Sequence, residues 1–255
     1  MFTSQPRILV TNDDGVRAES LHLLALAAAA LGEVYVVVPA EEHSGASHAL
    51  SLGRSVHVYS IEARCFAVEG TPVDCVNLAF FALCGSAPDL VLSGINAGYN
   101  LAEDVSTSGT VAAAMEGRIL GARALAVSVH REASRDEIEE AARVACSIGA
   151  RLLDAPGPCD VFLNLNVPPR PKGQRVTRQG WRAARAELIT CKEPGREYVW
   201  DGLGPGSWRD DPEADHRAIQ EGYVSITPLR IDQTAELAPA TLRAWGLETV
   251  QRRTL

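Results

Sequence analysis

Asp13 and Asp14 stand side by side in Thr11-Asn12-Asp13-Asp14-Gly15, directly after the apolar run Arg7-Ile8-Leu9-Val10. Adjacent carboxylates repel, so the pair needs a compensating charge. A hard divalent cation such as Mg²⁺, Mn²⁺ or Ca²⁺ would supply it, because such ions take oxygen ligands. In an extended strand neighbouring side chains point to opposite faces. Both carboxylates reach one ion only if the chain turns there, and Gly15 permits such a turn. Ser44-Gly45 and Gly94-Ile95-Asn96-Ala97-Gly98, followed by Asn100, offer further hydroxyl and carboxamide oxygens. Ser108-Gly109-Thr110 opens an Ala-rich segment, and a helix N-terminus there would present backbone amides to a phosphate. A cation beside a phosphate cradle points to phosphate-ester hydrolysis, the ion polarising the phosphoryl oxygen and acidifying a water.

Taken singly, each piece also has a purely structural reading. The Asp pair reads as a solvated turn or N-cap, Ser-Gly-Thr as a cap, and Ser-Gly-Ile-Asn as a tight loop. His48 and His216 are further candidates, His48 as a general acid or base and His216 if a later segment folds over the site. Rival chemistries lack their motifs. The sequence has no GxGxxG after the first strand, no GxxxxGK[ST] and no GxSxG elbow. The acids are adjacent rather than spaced as DxDx[TV], so direct attack by metal-activated water is expected over an aspartyl-phosphate.

The elements that would position these residues are legible from apolar patterning. Residues 7–11, 34–39, 89–93, 124–129 and 161–167 are short β-rich runs, as expected of strands covered on both faces. Helical stretches alternate with them: Leu21, Leu24, Ala28 and Leu31 with Gly32 as the expected C-cap, a Thr71-Pro72-Val73-Asp74 helix start, 108–119, and an amphipathic run at 136–153. This predicts an α/β fold: a Rossmann-like, doubly wound, mostly parallel sheet, whose ligands bind beyond the carboxyl ends of the strands. Residues 55–68 read as a hairpin insertion. After residue 167 the texture changes: 168–216 hold six of 14 prolines and six of 21 glycines, before 223–229 resumes as a strand. The expected organisation is a catalytic core at 1–167, an irregular β-containing arm at 168–235 belonging to the same domain, and a tail at 236–255 reading as a short helix.

Composition limits the partners. The formal net charge of −8 argues against a general nucleic-acid footprint, so no duplex partner is expected, and any phosphate pocket must supply its own positive field. The six cysteines form no CxxC pair or zinc spacing, and no uncharged apolar stretch reaches membrane length. The first residues do not read as a signal peptide. A cytoplasmic protein with no membrane association is expected.

Five ordered motifs resemble one known family: ILVTNDDG (8–15), SGASHALSL (44–52), GTPVDCV (70–76), PDLVLSGINAGYNLAEDVSTSGTVAAAMEG (88–117) and EGYVSITPL (221–229). Over about residues 7–235 the chain resembles the stationary-phase survival protein SurE family. The resemblance implies a metal-dependent nucleotidase that releases phosphate from nucleoside 5′- and 3′-monophosphates, with polyphosphate activity in some members. It implies a divalent cation, Mg²⁺ or Mn²⁺ in use and Ca²⁺ possible in crystals, on Asp13, Asp14, Ser44 and Asn96. It also implies a Rossmann-like core with a C-terminal β arm exchanged between subunits of a homodimer or homotetramer. Asp14 is further expected to orient or deprotonate the attacking water, and Asn12, Gly45, Asn100, Ser108, Gly109 and Thr110 to lie around the phosphate. The alternatives are a nucleotide or phosphate sensor that binds without turnover, and an assembly protein. Two departures stand out: Glu41-Glu42-His43 where relatives often carry a base, which argues against polyphosphate, and Thr107 where a Tyr is common.

Overall fold

The structure, a computed structural model, describes residues 5–157, 160–190, 198–234 and 239–246. Part of the expected arm (191–197 and 235), most of the tail, and Cys159 and Cys191 lie outside the described residues.

Strands β1 (Arg7–Thr11), β2 (Glu33–Pro39), β3 (Val58–Glu62), β4 (Cys65–Val68), β5 (Leu90–Ala97), β6 (Arg123–Val129), β7 (Val161–Val167), β8 (Gln174–Val176) and β11 (Val224–Arg230) form one nine-stranded sheet. Its order is β3-β4-β2-β1-β5-β6-β7-β11-β8. The six strands from β4 to β7 in that order are mutually parallel; β3 pairs antiparallel with β4 at one edge, and β11 pairs antiparallel with β7 and parallel with the other edge strand, β8. The expected hairpin at 55–68 is thus β3–β4, and β4 extends the parallel sheet beyond β2. Among the described residues, strands β9 (Arg182–Thr190) and β10 (Tyr198–Trp208) pair only with each other, as a separate antiparallel ladder.

The near-continuous apolar runs are explained by the faces they fill. Ile8 and Val10 of β1, with Leu90 and Leu92 of β5, pack on one side of the sheet, while Leu9 and Val91 pack on the other. Helices α1 (Glu19–Ala28) and α4 (Arg135–Asp154) cover the first side. Helices α2 (Pro72–Leu78) and α3 (Gly109–Ile119) cover the second, and the small Ala113 and Ala114 let α3 lie against β5 and β6. Helix α2 starts as its sequence predicts: Asp74 N–H donates to Thr71 Oγ1 (3.1 Å), and Thr71 N–H donates to Asp74 Oδ2 (2.8 Å). A π-helical turn at Ala79–Leu83, a 3-10 turn at Ala102–Ser106 and the short helices α5 (Asp215–Gln220) and α6 (Pro239–Ala244) complete the described elements, α6 falling in the tail read as a short helix.

Two boundaries differ from expectation. Helix α1 ends at Ala28 and is capped by Ala29, short of Gly32. The Glu33 N–H already donates to Pro6 O (2.8 Å), so Gly32 ends the connection into β2 rather than the helix. Strand β5 does not stop at Ser93 but continues to Ala97, with a register shift against β6 between Ser93 and Asn96. Pairing resumes at Asn96↔Ser128, so the stretch read as a post-strand loop is a bulged strand end that re-aims the Asn96 side chain.

Candidate active site

From β1 the chain builds outward through β2 to β4 on one side, then returns to add β5, β6 and β7 on the other. The crevice between β1 and β5 is therefore the point where strand order reverses, the usual ligand position in such sheets. Thr11 of β1 is in register with Ser93 of β5, so Asp13 and Asn96, two and three residues further on, are brought to the same rim.

A cleft of about 630 Å³ opens there. Asp13, Asp14, Ser44 and Asn96 all line it, together with Gly45, Asn100 and Ser108. The loop after β2 is held in place by two backbone bonds. His43 N–H donates to Asp13 O (2.8 Å) and Ser47 N–H donates to Thr107 O (3.0 Å), which hang Ser44 over the rim. The Ser44 hydroxyl donates to Glu42 Oε1 (2.7 Å). Asn96 Nδ2 donates to Gly98 O (2.7 Å), which uses the amide nitrogen locally and leaves the carboxamide oxygen as an acceptor. Asn100 is stitched inward, its N–H to Asn166 Oδ1 (2.8 Å) and its Nδ2 to Ser128 Oγ (2.9 Å).

Three residues expected around the phosphate stand behind the cleft rather than on its wall. Asn12 is fully buried; its Nδ2 donates to Gly15 O (3.0 Å) and its Oδ1 accepts from Gly15 N–H (3.2 Å). It shapes the turn in which Gly15 holds φ at +88°, a left-handed conformation that favours glycine. Thr110 grips Asp13 twice: its hydroxyl donates to Oδ1 (2.5 Å) and its N–H to Oδ2 (3.1 Å). Gly109 gives Asp13 room, since a Cβ there would stand 3.0 Å from both Asp13 Cβ and Oδ2. The Val111 N–H is capped by Ser108 Oγ (3.1 Å). The N-terminus of α3 is thus already engaged by a carboxylate, Asp13, and two of the amides expected to cradle phosphate serve the protein itself.

Burial raises the pKa of Asp13, opposed by the Thr110 hydrogen bonds. Burial also lifts Asp14 to about 6, and the charges of Asp13 and then Glu42 push in the same direction. Three carboxylates crowding one rim is costly unless a cation joins them. Among the described residues no group of three or more His, Cys, Asp or Glu is placed to hold a metal. A cation here would rest on two carboxylates completed by the neutral oxygens of Ser44 and Asn96. That all-oxygen set fits Mg²⁺ or Mn²⁺, which bind through one or two carboxylates and keep positions for water and phosphate.

The histidines lie elsewhere. His48 Nε2 is 2.8 Å from Glu116 Oε2, whose Oε1 accepts from Asn77 Nδ2 (2.7 Å). His48 lines a neighbouring cavity of about 600 Å³ with Met115, Phe162 and Leu229, and that cavity meets the cleft at Ser108. His216 is buried beneath Trp208, their ring centroids 4.3 Å apart, and does not line the cleft. Glu42 and Thr107 do line it; Glu41 does not.

Sequence reading missed Tyr99, Asp104, Arg131 and Arg182, which complete the wall. Arg131 follows the carboxyl end of β6, so surveying that strand end as well would have found it. Arg182 has no local signal; it arrives from the segment after β8 and is placed by tertiary pairing with Asp104.

Comparison with known proteins agrees with this architecture. The model of the family described as "Survival protein SurE" matches residues 8–186. A 5′-nucleotidase SurE of Geotalea daltonii is 42% identical over 246 residues, covering 94% of this chain and 99% of the relative. One from Aeromonas hydrophila is 46% identical over 252 residues, covering 94% and 98%. The crystal structure of the SurE protein from Aquifex aeolicus superposes with a TM-score of 0.80 at 36% identity, covering 94% of this chain and all of that one. With Asp13, Asp14, Ser44 and Asn96 on one rim and likeness running along nearly its whole length, the chain belongs to the SurE family.

Proposed function

We propose that this protein is a divalent-cation-dependent nucleotidase that hydrolyses nucleoside monophosphates to nucleoside and phosphate. The observation that carries the reading is the meeting of Asp13, Asp14, Ser44 and Asn96 on one cleft at the β1–β5 reversal. The names of the curated relatives, 5′-nucleotidases, support it.

Asp13, Asp14, Ser44 and Asn96 would hold the ion, Mg²⁺ or Mn²⁺ from the chemistry of the donors. When bound, the ion supplies Lewis-acid polarisation of a phosphoryl oxygen and lowers the pKa of water. Thr110 keeps the Asp13 carboxylate aimed at the rim. Asp14 is half-buried and lines the cleft, which supports the reading that it would orient an attacking water and accept its proton. Ser108 and Gly45 line the wall where the phosphate would sit. Glu42 on the same wall opposes long polyanions, which favours monophosphates over polyphosphate.

The oligomeric reading rests on β9–β10. A two-stranded ladder standing apart from the main sheet is marginal by itself, so we infer that it docks on a second copy in a dimer or tetramer. No helix among the described residues is long and apolar enough to cross a membrane. Cys65, Cys75, Cys84 and Cys146 are free thiols, as suits the reducing cytoplasm.

The test is release of inorganic phosphate from nucleoside 5′- and 3′-monophosphates with Mn²⁺ or Mg²⁺, with and without chelator. Chelator-sensitive release is expected. Tight nucleotide binding with no release would instead favour a sensor.

A further inference from the structure

The charges on the cleft wall do not balance once a substrate is considered. Four carboxylates face it, Asp13, Asp14, Glu42 and Asp104, against two guanidiniums, Arg131 and Arg182. A dication would match Asp13 and Asp14. Arg182 is ion-paired with Asp104, and its guanidinium lies 5.0 Å from the centre of the Trp208 ring. The Arg182 backbone is fixed as well, its N–H donating to Glu103 Oε1 (2.6 Å). Glu42 accepts from Ser44 and keeps its charge on the wall. Two amides of the α3 N-terminus are already taken by Asp13 and Ser108. A phosphomonoester dianion entering this cleft therefore needs a cation that nothing else has claimed.

Arg131 meets that need. It is exposed just beyond the end of β6, lines the cleft, and makes no hydrogen bond or ion pair among the described residues. Its planar fork suits the oxygens of a phosphate, which it can bind through two parallel N–H···O bonds.

We infer that Arg131 is the phosphate-binding cation of the cleft, gripping the non-reacting oxygens of a phosphomonoester dianion and setting its affinity. This deepens the nucleotidase reading, on which it rests, by naming the residue that lets a chain of net charge −8 hold a doubly negative substrate. Arg131 moves no proton and touches no metal; it binds.

The experiment is a calorimetric titration of inorganic phosphate into the Mn²⁺-loaded full chain, comparing wild type with Arg131→Lys, Arg131→Ala and Arg131→Glu. Arg131→Ala should weaken phosphate binding about tenfold, as loss of a charged hydrogen-bonding partner predicts. Arg131→Glu should weaken it further and Arg131→Lys less, while Mn²⁺ affinity stays at the wild-type value in all three. That order separates charge recognition from a packing role, which would not follow the sign of the side chain. A loss below about threefold in Arg131→Ala, equal affinities across the three variants, or a wild type that binds no phosphate would overturn the assignment. Wild-type protein that binds phosphate through Arg131 yet releases none from nucleotides would leave this assignment standing and sink the nucleotidase reading instead.

Discussion

Thr110 holds the Asp13 carboxylate by both oxygens, hydroxyl to Oδ1 at 2.5 Å and backbone N–H to Oδ2 at 3.1 Å. The Ser-Gly-Thr stretch and the acidic pair, 97 residues apart, are thus one unit. The helix terminus stabilises a buried carboxylate, and in the proposed reading that carboxylate would fix where a cation sits.

Thr110→Val tests that unit with little change in shape. The variant keeps the backbone donor and loses the hydroxyl. Removing a hydrogen bond to a buried charged group costs about 1.5–3 kcal/mol. Mn²⁺ affinity by calorimetry should fall about tenfold or more at neutral pH, because Asp13 becomes harder to ionise.

Gly109→Ala should act by displacement rather than by chemistry. Its new Cβ would press on Asp13 from 3.0 Å, tighter than ordinary contact. A misplacement near 1 Å costs about 10²-fold in rate, so kcat/KM should drop by one to two orders of magnitude. The far-UV circular dichroism spectrum should stay that of the wild type.

His48→Ala should keep kcat for phosphate release within about threefold of wild type, since His48 faces the neighbouring cavity and is tied to Glu116. A loss of several orders of magnitude, together with a missing limb in the pH–kcat profile, would return His48 to the role of general acid.

Asp74 gives a prediction in pH. Burial would raise its pKa, but hydrogen bonds from Ser51 and Thr71 outweigh that and hold it below the usual value. A carboxyl whose folded pKa is depressed stabilises the fold above its unfolded pKa, and that stability is lost as pH falls through the folded value. The stability gap between wild type and Asp74→Asn should therefore be widest above about pH 5, where an unfolded aspartate is ionised, and close as pH falls below the ordinary carboxylate range, measured by thermal melts.

Much of this fold was legible because apolar runs that fill both faces of a parallel sheet leave an unmistakable pattern. The strand positions at 7–11, 34–39, 124–129 and 161–167 agree with the structure to within a residue. The meeting of Asp13, Asp14, Ser44 and Asn96 on one cleft was legible because they stand at or beyond the carboxyl ends of β1, β2 and β5, and a parallel sheet gathers such ends on one rim. Thr110 and Asn12, expected around the phosphate, do not line the cleft. Their types fit an anion cradle, and only coordinates reveal that Asp13 and Gly15 already occupy them. The bulge in β5 was hidden because Gly94 looks like a strand terminator when its neighbour β6 is out of view. Arg182 was invisible for a different reason: its place depends on an ion pair with Asp104, 78 residues away, which no local pattern encodes.

In the proposed reading, hydrolysis depends on an ion held by Asp14 and its three companions, Asp13, Ser44 and Asn96. The most direct measurement is phosphate release from a nucleoside monophosphate by Asp14→Asn under saturating Mn²⁺, alongside its Mn²⁺ titration. The predicted result is a folded protein with release at least about 10³-fold below wild type and Mn²⁺ affinity sharply reduced. A folded Asp14→Asn protein that retains most of both would contradict it.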